Sequence, residues 1–126
     1  MLRDFYRTVL CVTLCACGPA GAATYREVDV VTLKADLDRG AVPLLVDVRT
    51  ADEYAAGHVP GAKNVPLDQM DARLSEFGAP ADEVYVICQS GSRSARASRT
   101  LVDSGFHPVN VSGGTGAWRA ADFPVQ

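Results

Sequence analysis

The hydrophobic positions of the chain fall into two kinds of pattern that alternate along it. Three runs are mostly apolar and rich in β-branched residues, as the strands of a buried parallel sheet are: residues 43–49, which end in charge, 84–87 and 109–111. Apolar side chains recur at helical spacing elsewhere, and this predicts longer helices over residues 30–39, 67–77 and 94–104. Strands therefore alternate with helices, which predicts an α/β fold with a parallel sheet covered on both faces.

Shorter elements extend this alternation. Thr50 and Glu53 have the spacing of a capping box, so a short helix is predicted to begin there. Residues 25–28 and 63–66 are predicted to form short strands. A last short helix is predicted after the glycine-rich residues 112–116.

One loop between a strand and a helix carries the clearest candidate chemistry: Cys88-Gln89-Ser90-Gly91-Ser92-Arg93. A helix begins with backbone N–H groups that lack intrahelical partners and with a partial positive charge. Gly91 can adopt a positive φ, which lets successive N–H groups turn inward around an anion, and Arg93 adds a permanent charge. We therefore expect Cys88 to have a lowered pKa and to act as a thiolate nucleophile. The alternative is an inert thiol buried in the core.

Two charged residues, Asp47 and Arg49, end a predicted strand at the same edge of the sheet as Cys88. Ligands of parallel α/β sheets bind at the carboxyl ends of the strands. We expect both side chains to support the cysteine loop through hydrogen bonds. For Arg93 two roles stay open, which are contact with the substrate and a structural salt bridge. Arg49 lies four residues before Glu53, and this spacing favours a pair between these two residues.

The composition narrows the range of partners. The 126 residues are 48% apolar and 21% charged, as in one globular domain, and the net charge is −3 at pH 7. The chain has no basic run apart from the arginines that follow Cys88, which argues against a nucleic-acid partner. The two histidines lack the spacing of metal ligands, so no metal site is expected.

The first 22 residues differ from the rest of the chain. Two arginines flank a polar start, residues 8–17 are apolar and small residues follow, which is the order of a secretory signal peptide. The apolar run is too short to span a bilayer. Removal of residues 1–22 would leave an exported domain of residues 23–126 with Cys88 as its single cysteine. The sequence Leu14-Cys15-Ala16-Cys17 is similar to a bacterial lipobox, so lipidation of Cys17 is the alternative.

With these residues in view, the chain over residues 31–125 resembles the rhodanese family of single-domain sulfurtransferases. The resemblance rests on motifs in the family's order and spacing: Val46-Asp47-Val48-Arg49 before Glu53-Tyr54, Gly57-His58-Val59-Pro60-Gly61-Ala62-Lys63-Asn64, the loop from Cys88 to Arg93 with Ser94, and Gly113-Gly114 with Trp118. The combination is far more specific than any single motif. The exported form looks similar to small rhodaneses of the Gram-negative periplasm, so a periplasmic location is implied.

The resemblance implies a three-layer α/β/α domain with a five-stranded parallel sheet. It also implies a sulfurtransferase in which Cys88 takes a sulfane sulfur from a donor such as thiosulfate, releases sulfite and passes the sulfur to cyanide or a thiol. The loop residues from Gln89 to Arg93 would bind the substrate, and no metal or organic cofactor would be needed. An acceptor protein could take the place of the small thiol.

Two other activities stay open. The family's phosphatase branch has a cysteine loop one residue longer, which widens the cradle for a tetrahedral phosphate. The six-residue loop of this chain favours transfer of a single sulfur atom over phosphate-ester or arsenate chemistry. The other alternative is a persulfide carrier or redox interaction module with little turnover.

Overall fold

A computed structural model describes residues 24–126 of the chain. The predicted signal peptide and the lipidation alternative at Cys17 lie outside the described residues, and both stay predictions. Within residues 24–126, no helix combines the length and the apolar character needed to cross a membrane.

Five strands form a single parallel sheet, as the family resemblance implied. They are β1 (Arg26–Val28), β2 (Leu45–Asp47), β3 (Lys63–Asn64), β4 (Glu83–Ile87) and β5 (His107–Val111). Their order across the sheet is β1-β5-β4-β2-β3, so β4 is central and lies between β5 and β2. Every neighbouring pair is parallel. The carboxyl ends of β2 and β4 therefore meet at one edge, where Cys88 follows β4.

Helices cover both faces of the sheet, which confirms the three-layer α/β/α architecture. They are α1 (Val30–Asp38), α2 (Ala51–Ala55), α3 (Ser92–Asp103) and α4 (Gly114–Ala120). On one face, Leu33 of α1 and Trp118 of α4 are buried in a common apolar cluster. On the other face, Ala97 and Leu101 of α3 are buried in a second cluster. Helix α3 begins slightly earlier than predicted, at Ser92.

The central strand is apolar from Val84 to Ile87 because both of its faces are buried there. Successive side chains of a strand point to opposite faces of the sheet. Val84 and Val86 are buried in the cluster that contains α3, whereas Tyr85 and Ile87 are buried in the cluster that contains α1 and α4. Cys88 continues the alternation and belongs to the α3 cluster.

The helix predicted over residues 67–77 is wrong in type. The structure has two 3₁₀-helices there, Leu67–Gln69 and Asp71–Phe77. The backbone is non-helical at Arg73, with φ −121° and ψ 26°. The N–H of Met70 donates to the carbonyl of Leu67 at 3.3 Å, which is the i→i+3 bond of a 3₁₀-helix. Apolar residues three positions apart share a side in both helix types, so their spacing could not separate the two.

Candidate active site

The candidate nucleophile lies in the middle of the carboxyl edge of the sheet. The register of the β2–β4 pair sets Asp47 opposite Ile87, and the N–H of Val48 donates to the Ile87 carbonyl at 2.9 Å, directly before Cys88. Cys88 is 1% exposed, and its sulfur therefore lies beneath the loop rather than on the surface. Burial by itself also fits an inert core thiol. The hydrogen bonds to the sulfur distinguish a thiolate nucleophile from an inert thiol.

Two donors point at the sulfur of Cys88. The backbone N–H of Gly91 is 3.1 Å from Sγ, and the hydroxyl of Ser94 is 3.3 Å from it. Gly91 has a φ of 101°, a left-handed conformation that residues with side chains rarely adopt, and this turn directs its N–H back to the sulfur. A thiol sulfur is only a weak hydrogen-bond acceptor, whereas a thiolate sulfur is negatively charged and accepts more strongly. Here the sulfur accepts two hydrogen bonds, which favours the thiolate.

The pKa of Cys88 reflects two opposing effects. Burial raises the pKa, and hydrogen bonds to the sulfur outweigh it, so that the pKa of Cys88 is lowered overall. These bonds come first from the hydroxyl and N–H of Ser94 and then from the N–H groups of Ser90 and Gly91. The lowered pKa agrees with the prediction, but its cause is the loop amides and Ser94 rather than a contact with Arg93.

The start of α4 binds the carbonyl groups of the cysteine loop. The N–H of Thr115 donates to the Cys88 carbonyl at 2.8 Å, and the N–H of Gly116 donates to the Gln89 carbonyl at 3.0 Å. Gly114 cannot be replaced without a shift of the backbone, because a Cβ atom there would lie 2.3 Å from the Cys88 carbonyl oxygen. Helix α4 therefore fixes the backbone of Cys88 and Gln89, the residues from which the chain turns back so that the Gly91 N–H donates to the sulfur.

Arg93, the last residue of the loop, forms a two-pronged ion pair with Glu53. Its terminal nitrogens donate to the two carboxylate oxygens at 2.7 and 2.8 Å. Glu53 also completes the capping box with Thr50 at the start of α2, as predicted. The hydrogen bonds from Arg93 lower the pKa of Glu53 to about 2. Of the two roles left open for Arg93, the structure thus contains the salt bridge, which fastens the loop to α2.

The supporting role predicted for Asp47 and Arg49 takes another form. Arg49 donates to the Asp47 carboxylate at 2.7 Å and to the Gly57 carbonyl at 2.9 Å. Asn64 donates to the backbone carbonyls of both residues. Within the described chain, neither side chain hydrogen-bonds to the cysteine loop, so the predicted hydrogen bonds to the loop are wrong. The predicted pair between Arg49 and Glu53 is also wrong, because Arg49 binds Asp47 instead. The buried Asp47 carboxylate requires a compensating charge, and Arg49 supplies it.

The donors at Cys88 suit an anion rather than a metal ion. They are N–H and O–H groups, which stabilise negative charge. Among the residues that the structure describes, no group of three His, Cys, Asp or Glu side chains could hold a metal ion.

Comparison with known proteins agrees with this geometry. Residues 29–121 match the family model of the rhodanese-like domain. The chain belongs to the rhodanese-like domain family. This membership confirms the resemblance that the motifs indicated.

Several relatives of this rhodanese-like domain are named for sulfur carriage or sulfur transfer. YrkF of Bacillus subtilis, provisionally named a sulfur carrier protein, is 36% identical over 98 residues, which cover 77% of this chain and 52% of YrkF. The chain thus spans about half the length of that relative. Thiosulfate sulfurtransferase 18 of Arabidopsis thaliana is 39% identical over 118 residues, with 79% of this chain and 82% of that protein covered. The crystal structure of a rhodanese-like domain protein from Staphylococcus aureus matches with a TM-score of 0.69 and 35% identity, covering 74% of this chain and 90% of that one.

The predicted loop residues of the rhodanese-like domain differ in exposure. Gln89, Ser90 and Ser92 are exposed, whereas Gly91 and Arg93 are half-buried. Of the five, only Gly91 lies within hydrogen-bond geometry of the Cys88 sulfur, although the N–H of Ser90 also lowers the pKa of that sulfur. The loop therefore acts on Cys88 mainly through its backbone.

Two residues that serve this site were not predicted as site residues. Ser94 donates to the sulfur, and Glu53 binds the last loop residue. Ser94 lies three and four residues before Ala97 and Ser98, on the buried face of α3. A polar residue at a buried helix position next to a candidate nucleophile is the signal that could have identified it. The capping box already explained Glu53 locally, so nothing in the sequence gave reason to expect its ion pair with Arg93.

Proposed function

We propose that the protein is a sulfurtransferase that moves a sulfane sulfur from a donor such as thiosulfate to cyanide or a thiol, with Cys88 as the nucleophile. The proposal rests above all on the hydrogen bonds that the Cys88 sulfur accepts from the Gly91 N–H and the Ser94 hydroxyl. These donors favour the thiolate, which is the form of cysteine that attacks sulfur.

In the first half-reaction, the Cys88 thiolate attacks the outer sulfur of thiosulfate. A bond forms between Sγ and that sulfur while the bond to the oxidised sulfur breaks, and sulfite leaves with the electron pair. Cys88 then carries a persulfide. Because the nucleophile is already ionised, this step needs no general base.

In the second half-reaction, cyanide or a thiolate attacks the outer sulfur of the persulfide. The bond between that sulfur and Sγ breaks, and the electron pair returns to Sγ. The N–H of Gly91 and the hydroxyl of Ser94 stabilise the negative charge that Sγ regains. The same two donors thus assist Cys88 as nucleophile and as leaving group.

Mass spectrometry of the purified protein tests this proposal. Incubation with thiosulfate is expected to add one sulfur atom to the peptide that contains Cys88, and later addition of cyanide should remove it as thiocyanate. The variant Cys88→Ser should lose both reactions and keep a cooperative unfolding transition. A folded wild-type protein that acquires no sulfur from thiosulfate would overturn the proposal.

A persulfide carrier with little turnover is the second candidate. Two observations favour it, which are the 1% exposure of Cys88 and the similarity to YrkF. A carrier would keep its persulfide from solvent thiols and release it to a partner protein. Loaded protein whose persulfide survives excess cyanide and small thiols, and passes to a protein trapped on Cys88, would favour the carrier over the enzyme.

Phosphate-ester or arsenate chemistry on the same fold has less support. Arg93 is the loop residue that would bind an oxyanion, and both of its terminal nitrogens are bound to Glu53. Hydrolysis of an aryl phosphate at a higher rate than sulfur transfer would reverse this preference.

Export to the periplasm is a further proposal, supported by the sequence of residues 1–22 alone. Mass analysis of protein isolated from a Gram-negative host tests it. Cleavage should leave Ala23 as the first residue, whereas a lipid on Cys17 would support the lipoprotein alternative.

A further inference from the structure

A cavity beside the cysteine loop has no role in the reaction as described so far. Its volume is about 380 Å³, which is within the range of small-molecule sites. Its walls come from the end of β2, the 3₁₀-helices and α3. The cavity therefore lies on the same face of the sheet as Cys88.

Two lining residues connect this cavity to the nucleophile. Val48 lines it and donates its N–H to the carbonyl of Ile87, the residue before Cys88, at 2.9 Å. The side chains of Val48 and Cys88 belong to one apolar cluster. Arg93, the last residue of the cysteine loop, also lines the cavity. A molecule held here is thus next to the site at which the persulfide would form.

Charges of both signs line the cavity from different elements. Arg96 comes from α3, whereas Asp68 and Asp71 come from the 3₁₀-helices. All three residues are exposed, and within residues 24–126 none of them forms an ion pair or a side-chain hydrogen bond. Arg93, by contrast, is already paired with Glu53.

Between the charges the lining is apolar. Leu67 and Met70 contribute side chains from the segment that carries the two aspartates. A ligand that matches this lining has a short apolar body, a carboxylate for the arginine and an ammonium group for the aspartates. Cyanide has none of these features.

We propose that the cavity binds the sulfur acceptor, and that this acceptor is a low-molecular-weight thiol with both an ammonium and a carboxylate group. Arg96 binds the carboxylate, and Asp68 and Asp71 bind the ammonium group. The inference rests on the sulfurtransferase function proposed above and specifies its acceptor.

The chemical step is the second half-reaction with this acceptor. The thiol first loses its proton to solvent. Its thiolate then forms a bond to the outer sulfur of the Cys88 persulfide, the bond between that sulfur and Sγ breaks, and Sγ takes the electron pair. The products are the acceptor persulfide and the Cys88 thiolate, so no oxidant or reductant is required.

Single-turnover transfer from thiosulfate-loaded protein tests the inference with four matched thiols. Cysteine carries both charges, 3-mercaptopropionate only the carboxylate, cysteamine only the ammonium group and 2-mercaptoethanol neither. Rate constants are compared per thiolate, so that differences in thiol pKa do not enter. We expect cysteine to react fastest, and we expect its advantage over 2-mercaptoethanol to fall about fivefold in Arg96→Ala and in the double variant Asp68→Asn/Asp71→Asn.

The charge-matched pairs make the assignment specific. Arg96→Ala should reduce the rate ratio of 3-mercaptopropionate to 2-mercaptoethanol, and the double aspartate variant should reduce the ratio of cysteamine to 2-mercaptoethanol. Arg99→Ala, an exposed arginine of α3 that does not line the cavity, is the control and should leave all ratios unchanged.

The two levels of proposal fail in different ways. Protein that takes no sulfur from thiosulfate contradicts the sulfurtransferase function itself. Protein that loads normally but shows no preference for cysteine, or keeps that preference in both cavity variants, contradicts only the acceptor site. A preference lost equally in Arg99→Ala would show a general charge effect of α3 and would also overturn the site.

Discussion

Two arginine–carboxylate pairs at the carboxyl edge of the sheet look alike in geometry and differ in what they connect. Both have a shortest nitrogen–oxygen distance of 2.7 Å. The side chains of Arg49 and Asp47 are 3% and 0% exposed, whereas those of Arg93 and Glu53 are 37% and 33% exposed. The first pair joins the end of β2 to the Gly57 carbonyl, and the second joins α2 to the cysteine loop.

Burial gives these pairs different energetic roles. Loss of one partner of a buried pair leaves an unpaired charge in the core and commonly costs about 3–5 kcal/mol. A partly exposed pair contributes about 0–1 kcal/mol, because water already solvates both charges. The Asp47–Arg49 pair is therefore expected to hold the fold, and the Glu53–Arg93 pair to hold the position of the loop.

The largest predicted effect is on stability. Asp47→Asn leaves the buried Arg49 without its counter-charge, and we expect the free energy of unfolding to fall by about 3 kcal/mol or more. Urea denaturation followed by circular dichroism measures this loss. Glu53→Gln is the matched control and should cost no more than about 1 kcal/mol. Equal losses in the two variants would remove the distinction between the pairs.

The next prediction concerns what keeps Cys88 ionised. Ser94→Ala removes a hydrogen bond to the sulfur, which destabilises the thiolate, so the pKa of Cys88 should rise by about one unit. The acid limb of the alkylation rate by iodoacetamide should move to higher pH by the same amount. Ser98→Ala is the control, because the Ser98 hydroxyl donates to the Ser94 carbonyl rather than to the sulfur.

The variant Arg93→Gln tests whether Ser94 or Arg93 contributes more to the lowered pKa of Cys88. The guanidinium of Arg93 is bound to the Glu53 carboxylate, which offsets its charge near Cys88. We therefore expect Arg93→Gln to raise the pKa of Cys88 by less than Ser94→Ala does. A larger shift in Arg93→Gln would mean that the arginine, and not the serine, is the main support of the thiolate.

Features of this rhodanese-like domain that depend on neighbouring residues could be predicted from the sequence. The apolar run before Cys88 indicated a central strand, and Thr50 with Glu53 indicated the start of a helix. The left-handed conformation of Gly91 likewise follows from the need to turn the chain back to the sulfur. Each of these predictions uses contacts within a few positions along the chain.

Choices between competing charged partners could not be predicted in this way. Arg93 binds Glu53, which is 40 positions away, and spacing along the chain carries no information about that contact. Arg49 was expected to bind the same glutamate, but it binds the buried Asp47 carboxylate instead, which is only two positions away along the chain. Burial decided between these partners, and burial is known only once the sheet and helices are assembled.

A moderate effect on catalysis is expected from loss of the exposed pair. Glu53→Gln should lower kcat/KM for thiosulfate about tenfold. The variant weakens the ion pair that connects Arg93 of the loop to α2, so Cys88 is held less firmly in position for attack. The free energy of unfolding should change by no more than about 1 kcal/mol. Asp52→Asn, the neighbouring carboxylate of α2, is the control for a general charge effect. A loss of stability without a loss of kcat/KM would reverse the roles assigned to the two pairs.

The smallest predicted effect is the pH dependence of the exposed pair. Arg93 lowers the pKa of Glu53 from its ordinary 4.5 to about 2 in the folded protein. Because the folded pKa lies below the unfolded one, the pair stabilises the fold fully above about pH 4.5, and this stabilisation is lost as the pH falls toward about 2. The difference in unfolding free energy between the wild type and Glu53→Gln should therefore be constant near neutrality and shrink in acid. A difference that stays constant in acid would mean that the contribution of Glu53 does not depend on its charge. The conclusion that the ion pair between Glu53 and Arg93 holds the position of the loop would then be wrong.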